Sequence, residues 1–203
     1  MPTAATVTDV EDLLGRSLTS DSARVGRLLD RAEGIVSGEF PGLTFGAVAN
    51  EVVTVETDGD DYVVLPNYPV TAIASVTIAG TALPSTGYAF DVLGNVRRIG
   101  SSVDAITYAE GARVRWPDAG VAVVFTYSYG FASAATPDVI SSVVAELAAA
   151  RVANPEQVTQ ESMGDRSHSY ATAAGAGDDL TEGQRRRLRH WNRRRFASAR
   201  MRS

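Results

Sequence analysis

Three neighbouring polar residues, Asp165, Ser167 and His168, are the nearest approach in this 203-residue chain to a nucleophile, a base and a group that orients the base. Such a set works when its side chains converge on one point, and near neighbours in a polar extended stretch do not readily do so. Solvated or interface roles are expected for them. Asp58, Asp60 and Asp61 supply the oxygen ligands that a hard cation takes, but no bidentate glutamate follows at calcium-loop spacing, so a solvated hairpin turn is the expected reading. The chain has no cysteine, which removes thiol nucleophiles, thiolate ligands and disulfides together, and only two histidines, His168 and His190. No phosphate-cradling glycine loop, HExxH, EF-hand loop or GxSxG occurs. The expectation is therefore no catalytic residue, no cofactor and no metal: not an enzyme.

What chemical character there is lies in charge. Lysine is absent, so all 19 basic residues are arginine, and they are unevenly placed. Residues 1–179 hold 10 arginines against 23 acidic residues, a net of −13; residues 180–203 hold nine arginines against Glu182, a net of +8. Arg185, Arg186, Arg187, Arg189, Arg193, Arg194, Arg195, Arg200 and Arg202 point in almost every direction around a helix at 100° per residue, with Leu188, Trp191 and Phe196 as its few large apolar residues. Such a helix is expected to sit in an anionic groove or line a channel rather than pack as a core element. An acidic partner protein, a nucleic-acid backbone and plain solvation are the alternatives. Base-specific readout has no supporting motif such as a zinc finger, helix-turn-helix or basic zipper.

These residues must be positioned by a fold, and 44% hydrophobic with 21% charged residues is the composition of a globular chain with a core. No stretch reaches about 18 uncharged apolar residues, and no basic region followed by an apolar run opens the sequence, so neither membrane spanning nor export is expected. Thr8-Asp9-Val10-Glu11 has capping-box spacing and predicts a helix from about Asp9 to Arg16. Ser20 then caps a second, with Val25, Leu28, Leu29, Ala32, Ile35 and Val36 on one face, ending at Phe40-Pro41-Gly42. From Glu51 the period falls towards two. Glu51–Glu56, Tyr62–Leu65, Ala74–Ile78, Tyr88–Asp91, Val96–Ile99, Arg113–Trp116 and Val121–Tyr127 read as strands, with turns at Asp58-Gly59, Ala79-Gly80 and Gly94-Asn95. Tyr62, Tyr68, Tyr88, Tyr108 and Trp116 in this region could form an exposed platform for a carbohydrate or other surface, or simply fill the core.

Helical periodicity returns after Thr136-Pro137, read as cap and first helical residue, with Val139, Ile140, Val143, Val144, Leu147 and Ala148 on one face and an alanine-rich far side. A polar extended stretch, Glu161 to Thr172, and the flexible run Ala173–Gly177 lead to a last helix capped by Thr181 and Gln184 and reaching about Ala199. The fold class is α+β: a small helical bundle from both chain ends, an inserted antiparallel β-sandwich or barrel, and a C-terminal basic helical arm. The expected parts are an N-terminal helical part over 1–50, the β-domain over 51–132, a helical part completing the bundle plus the extended segment over 133–172, and linker with arm over 173–203. Val25, Leu28, Leu29, Ile35, Ile140, Val143, Val144 and Leu147 are the candidate helical core.

The order of certain short patterns is also familiar. Leu65-Pro66-Asn67-Tyr68-Pro69-Val70 leads into Val76-Thr77-Ile78-Ala79-Gly80; Phe125-Thr126-Tyr127-Ser128-Tyr129-Gly130-Phe131 follows Trp116; then come Thr136-Pro137-Asp138, an alanine-rich helix and Glu161-Ser162-Met163-Gly164-Asp165. From about residue 8 to 172 the chain resembles the head-to-tail connector (adaptor, head-completion) proteins of long-tailed bacteriophages. It departs from the usual tyrosines at Phe125 and Phe131 and in its long arginine tail. The resemblance implies a structural virion protein, made in the host cytoplasm and placed in the neck. It would form a ring, commonly of twelve copies, between the portal at the capsid vertex and the next neck or tail component, a stopper or tail terminator, with DNA passing through. The arm residues Arg185, Arg186, Arg187, Leu188, Arg189, Trp191, Arg193, Arg194, Arg195 and Phe196 would then dock on the portal, with nonspecific contact to packaged DNA as a further expectation. A nucleic-acid-backbone-binding protein using the same arm is the alternative.

Overall fold

Val123, Phe125, Tyr127 and Tyr129 fall at every second position of one segment, and in a computed structural model of the chain all four are buried. The structure describes residues 4–99, 114–118, 120–132, 135–154, 160–163, 166–169 and 179–192. The chain divides into two units, one made of Met1–Pro41 with Phe131–Ser203 and the other of Gly42–Gly130, so the second interrupts the first in sequence.

The inserted unit is all β. Its strands are β1 (Val48–Glu56), β2 (Tyr62–Val64), β3 (Val70–Ile78), β4 (Thr81–Leu83), β5 (Tyr88–Phe90), β6 (Asn95–Arg98) and β7 (Ala122–Tyr129). They form a four-stranded sheet ordered β1-β7-β3-β4 and a three-stranded sheet ordered β2-β6-β5, every pair antiparallel. Because β7 is central, its inward residues are flanked on both sides: Phe125 lies opposite Val53 of β1 and Val76 of β3. One core takes Val63, Tyr88 and Val96 from the smaller sheet and Val76, Val123, Phe125 and Tyr127 from the larger. Trp116 joins them, its ring 5.6 Å from that of Phe125 and its indole N–H donating to the Val96 carbonyl at 3.0 Å. The polar tip of the largest core side chain is thereby satisfied where water cannot reach it. This is the sandwich alternative; no barrel is closed among the described strands.

Strand boundaries moved for identifiable reasons. β3 begins at Val70 rather than Ala74, because register shifts between Val70 and Ala72 and between Ile73 and Ser75 break the alternation on which the reading relied. β1 starts at Val48 rather than Glu51, with a similar irregularity before Glu51. β4 is only three residues long and is not among the expected strands; it is joined to β3 through the expected turn at Ala79 and Gly80, both at positive φ, the backbone of a tight hairpin. The expected strand at Arg113–Trp116 is not one over Val114–Trp116, and Arg113 lies outside the described residues. At Gly130 (φ 88°) a Cβ atom would run into the Gly46 carbonyl oxygen, so only glycine lets β7 leave the sheet there.

The other unit is built on α1 (Val7–Leu14), α2 (Ser22–Glu39) and α3 (Asp138–Ala153). The capping box expected at Thr8 and Glu11 forms instead at Thr6 and Asp9: the Thr6 N–H donates to Asp9 Oδ2 at 2.6 Å and the Asp9 N–H to Thr6 Oγ1 at 3.3 Å. Glu11 is thereby free to accept the Leu18 N–H at 2.6 Å, tying the turn that follows α1. Asp21, at the end of a short 3₁₀ turn, precedes α2 where Ser20 was expected, and Pro137 rather than Thr136 precedes α3. α3 packs against both α1 and α2, which is why it is buried on more than one face. Ile140, Val143, Val144, Leu147 and Ala148 are buried, and so are Ala145 and Ala149 on its alanine side. On α2, Val25 and Leu29 are buried while Leu28 and Ile35 are half-buried. Glu33, also buried, accepts the Ala4 N–H at 2.6 Å.

In the stretch expected to be extended, the described residues form two short antiparallel strands, β8 (Gln160–Met163) and β9 (Arg166–Ser169), with Gln160 opposite Ser169. The Ala173–Gly177 run lies outside the described residues. The architecture is α+β. No described helix is long and apolar enough to cross a membrane.

Candidate functional site

The basic segment begins with a capping box: the Gln184 N–H donates to Thr181 Oγ1 at 3.1 Å, and the Thr181 N–H donates to Gln184 Oε1 at 3.0 Å. This starts α4 (Glu182–Arg187), and the chain then tightens into a 3₁₀ turn over Arg189–Trp191. The helix expected to reach Ala199 therefore ends at Arg187, and Asn192 is already extended. The tightening has a physical use. At three residues per turn, Leu188 and Trp191 share one side, and both are buried there, as is Leu180. The Trp191 ring stands edge-on to Phe131, with centroids 5.3 Å apart at 78°, while the His190 ring stands 5.4 Å from it on the exposed side.

Around these anchors the arginines divide. Arg185 donates from Nε to Glu39 Oε1 at 3.2 Å and from Nη2 to Asp179 Oδ1 at 2.7 Å. Desolvation pulls its pKa down, but the hydrogen bond to Asp179 and the charge of Glu39 outweigh that and leave it above the ordinary arginine value. Arg187 reaches both oxygens of Glu146 from Nη1, at 2.8 and 3.0 Å, and donates from Nη2 to Ser142 Oγ at 2.7 Å. Gln184 Nε2 adds a bond to Glu146 at 3.3 Å. Arg186 and Arg189 are exposed and form no ion pair with a described residue. Arg193, Arg194, Arg195, Phe196, Arg200 and Arg202 lie outside the described residues.

The expectation that an all-round cationic helix does not pack is thus corrected: residues 180–191 are fitted onto their own helical unit. Leu188 and Trp191, expected among the residues that dock on a portal, are buried within the chain itself. Sequence reasoning missed Glu39 of α2, Glu146 of α3 and Phe131 as the seat of this segment. Glu39 and Glu146 each stand on a helix with an apolar face, but pairings across 41 and 146 positions leave no local signal.

The remaining candidates do not assemble into sites. Asp58 and Asp60 are exposed, and Asp61 faces Arg115 at 3.7 Å. This loop is held by backbone bonds from Gly59 N–H to Pro117 and from Trp116 N–H to Asp60. Among the described residues no group of three or more acidic, histidine or cysteine side chains is placed to hold a metal. Ser167 and His168 are successive residues of β9, and Asp165 lies outside the described residues. Of the aromatic platform, Tyr68, Tyr88 and Trp116 are core residues, Tyr62 is exposed and Tyr108 lies outside the described residues. A further perturbed group is Tyr129, whose hydroxyl pKa is pushed up to about 12 by its hydrogen bond to Glu51 and by burial.

No protein-family model and no curated protein matches the sequence. Among solved structures the chain shares its fold with a chain of one described as "Virion of native gene transfer agent (GTA) particle", at TM-score 0.50 and 18% identity, over 94% of this chain and 90% of that one. A chain of another, described as "Neck of native GTA particle computed with C12 symmetry", aligns over the same shares with TM-score 0.49 and 16% identity.

Proposed function

We propose that this chain is a structural subunit of a virion neck, one copy in a closed ring that joins the portal at the capsid vertex to the next neck or tail component and lets DNA pass. The observation that carries the reading is the shared fold: both units of the chain, and not a common sub-motif alone, match a chain of a gene transfer agent virion over 94% of the length. The ordered patterns from Leu65 to Asp165 support it from the sequence side.

In this reading the chain acts by presenting surfaces and has no reaction to catalyse. The helical unit, braced by Arg185 and Arg187 of the arm, is the part that meets the portal. The β-sandwich supplies contacts to neighbouring copies or to the tail side. Open sheet edges suit that role: β1 is nine residues long with one edge unpaired among the described strands, and its Val52 is 64% exposed. Electron microscopy of the purified protein mixed with the portal of the same particle tests this. Rings stacked coaxially on the portal are expected, and a portal that stays bare at saturating protein contradicts the proposal.

A further inference from the structure

We infer that the outward side of the C-terminal segment, centred on Arg186 and Arg189, is a surface for the phosphate backbone of duplex DNA. This goes beyond the neck reading and does not depend on it, since a surface of this kind would act in a ring or in a lone subunit.

The argument begins with how the segment is held. Leu188 and Trp191 are buried and Arg185 and Arg187 are fixed to Glu39, Asp179 and Glu146, so the backbone that carries Arg186 and Arg189 is already ordered. Little further ordering is needed to present these two guanidinium groups, and preorganisation lowers the cost of binding. They lie three positions apart, Arg186 in the last turn of α4 and Arg189 opening the 3₁₀ turn that follows it. Each is exposed and lacks a described carboxylate partner, and Glu182 is the single acidic residue among the last 24.

The kind of anion follows from what this side lacks. Stable protein interfaces draw most of their affinity from a few buried aromatic or aliphatic anchors, and here the large apolar residues Leu188 and Trp191 face the chain's own core. A partner that needs no apolar anchor fits better, one recognised by repeated negative charge at a spacing that planar guanidinium groups can bridge. A nucleic-acid backbone has that character, and binding of this kind carries no base sequence preference.

The test uses the full chain and the double variant Arg186→Gln/Arg189→Gln, both at exposed positions and therefore without cost to the fold; a thermal melt checks this. Affinity for an arbitrary 20-base-pair duplex is measured by fluorescence anisotropy at several salt concentrations. The parent is expected to bind with an affinity that falls steeply with salt and is the same for two unrelated sequences. The variant should bind about tenfold or more weakly at low salt, with a log–log salt slope smaller by about two. An unchanged affinity and slope in the variant overturns the proposal. So does displacement of the duplex by poly-glutamate as readily as by unlabelled duplex, which would mark an acidic protein as the partner.

Discussion

Trp191 and Arg187 hold the same segment by effects of different size. Trp191 is 7% exposed and stacks edge-on against Phe131, so its removal leaves a cavity costing about 3–5 kcal/mol. The Arg187–Glu146 pair has side chains 40% and 35% exposed, and pairs so well solvated contribute about 0–1 kcal/mol. Trp191→Ala is therefore expected to lower the melting temperature by several degrees more than Arg187→Gln, as read by circular dichroism; equal shifts would mean that charge, not burial, seats the segment. Tyr129 supplies a pH test. Its phenol pKa is raised to about 12 from 10.0, so the neutral form is favoured in the folded state. That contribution is fully present below pH 10 and is lost as pH rises through about 12. Tyr129→Phe keeps the ring and removes the proton, so its urea midpoint should fall less between pH 9 and pH 11 than that of the parent. Tyr88, raised by desolvation, is common to both proteins and cancels. At this scale the sequence pointed to Leu188 and Trp191 as the apolar members of the arm but not to their neighbours, because Phe131 and the two glutamates come from distant positions.

α3 is the element on which the helical unit depends, since α1 and α2 both pack against it. Leu29→Ala on α2 and Leu147→Ala on α3 remove side chains 0% and 4% exposed, and each should cost about 2–5 kcal/mol in chemical denaturation. Ring assembly should fail with either. Elements of regular period were the legible ones. The apolar faces of α2 and α3 and the alternation of β7 follow directly from residue spacing, and these three came out as the types read, whereas the strand expected at Arg113–Trp116 did not form over Val114–Trp116. Boundaries followed local chemistry that spacing does not carry. Two threonines two positions apart can both cap α1, and Thr6 with Asp9 prevails while Glu11 serves the next turn. β3 was half hidden by its two register shifts, and β4 and the β8–β9 pair are too short and too polar for a periodic signal.

For the whole molecule, the insertion of a β-unit within a helical one was legible in the change of period near residue 50 and its return after residue 136. The self-docking of the basic segment was not, because net charge of +8 against −13 states that the two parts attract without saying whether they meet within one chain or between partners. The structure shows residues 180–191 meeting their own unit, which leaves the exposed arginines for a partner. The central claim is that the chain works as one copy of a closed ring on a portal, and closed rings have a mass set by copy number. The most direct measurement is the mass, by light scattering or native mass spectrometry, of the assembly this 21.5 kDa chain forms with its portal present. The account predicts a discrete addition of about a quarter of a megadalton to the portal, the mass of a twelve-membered ring; a chain that remains monomeric beside an unchanged portal would contradict it.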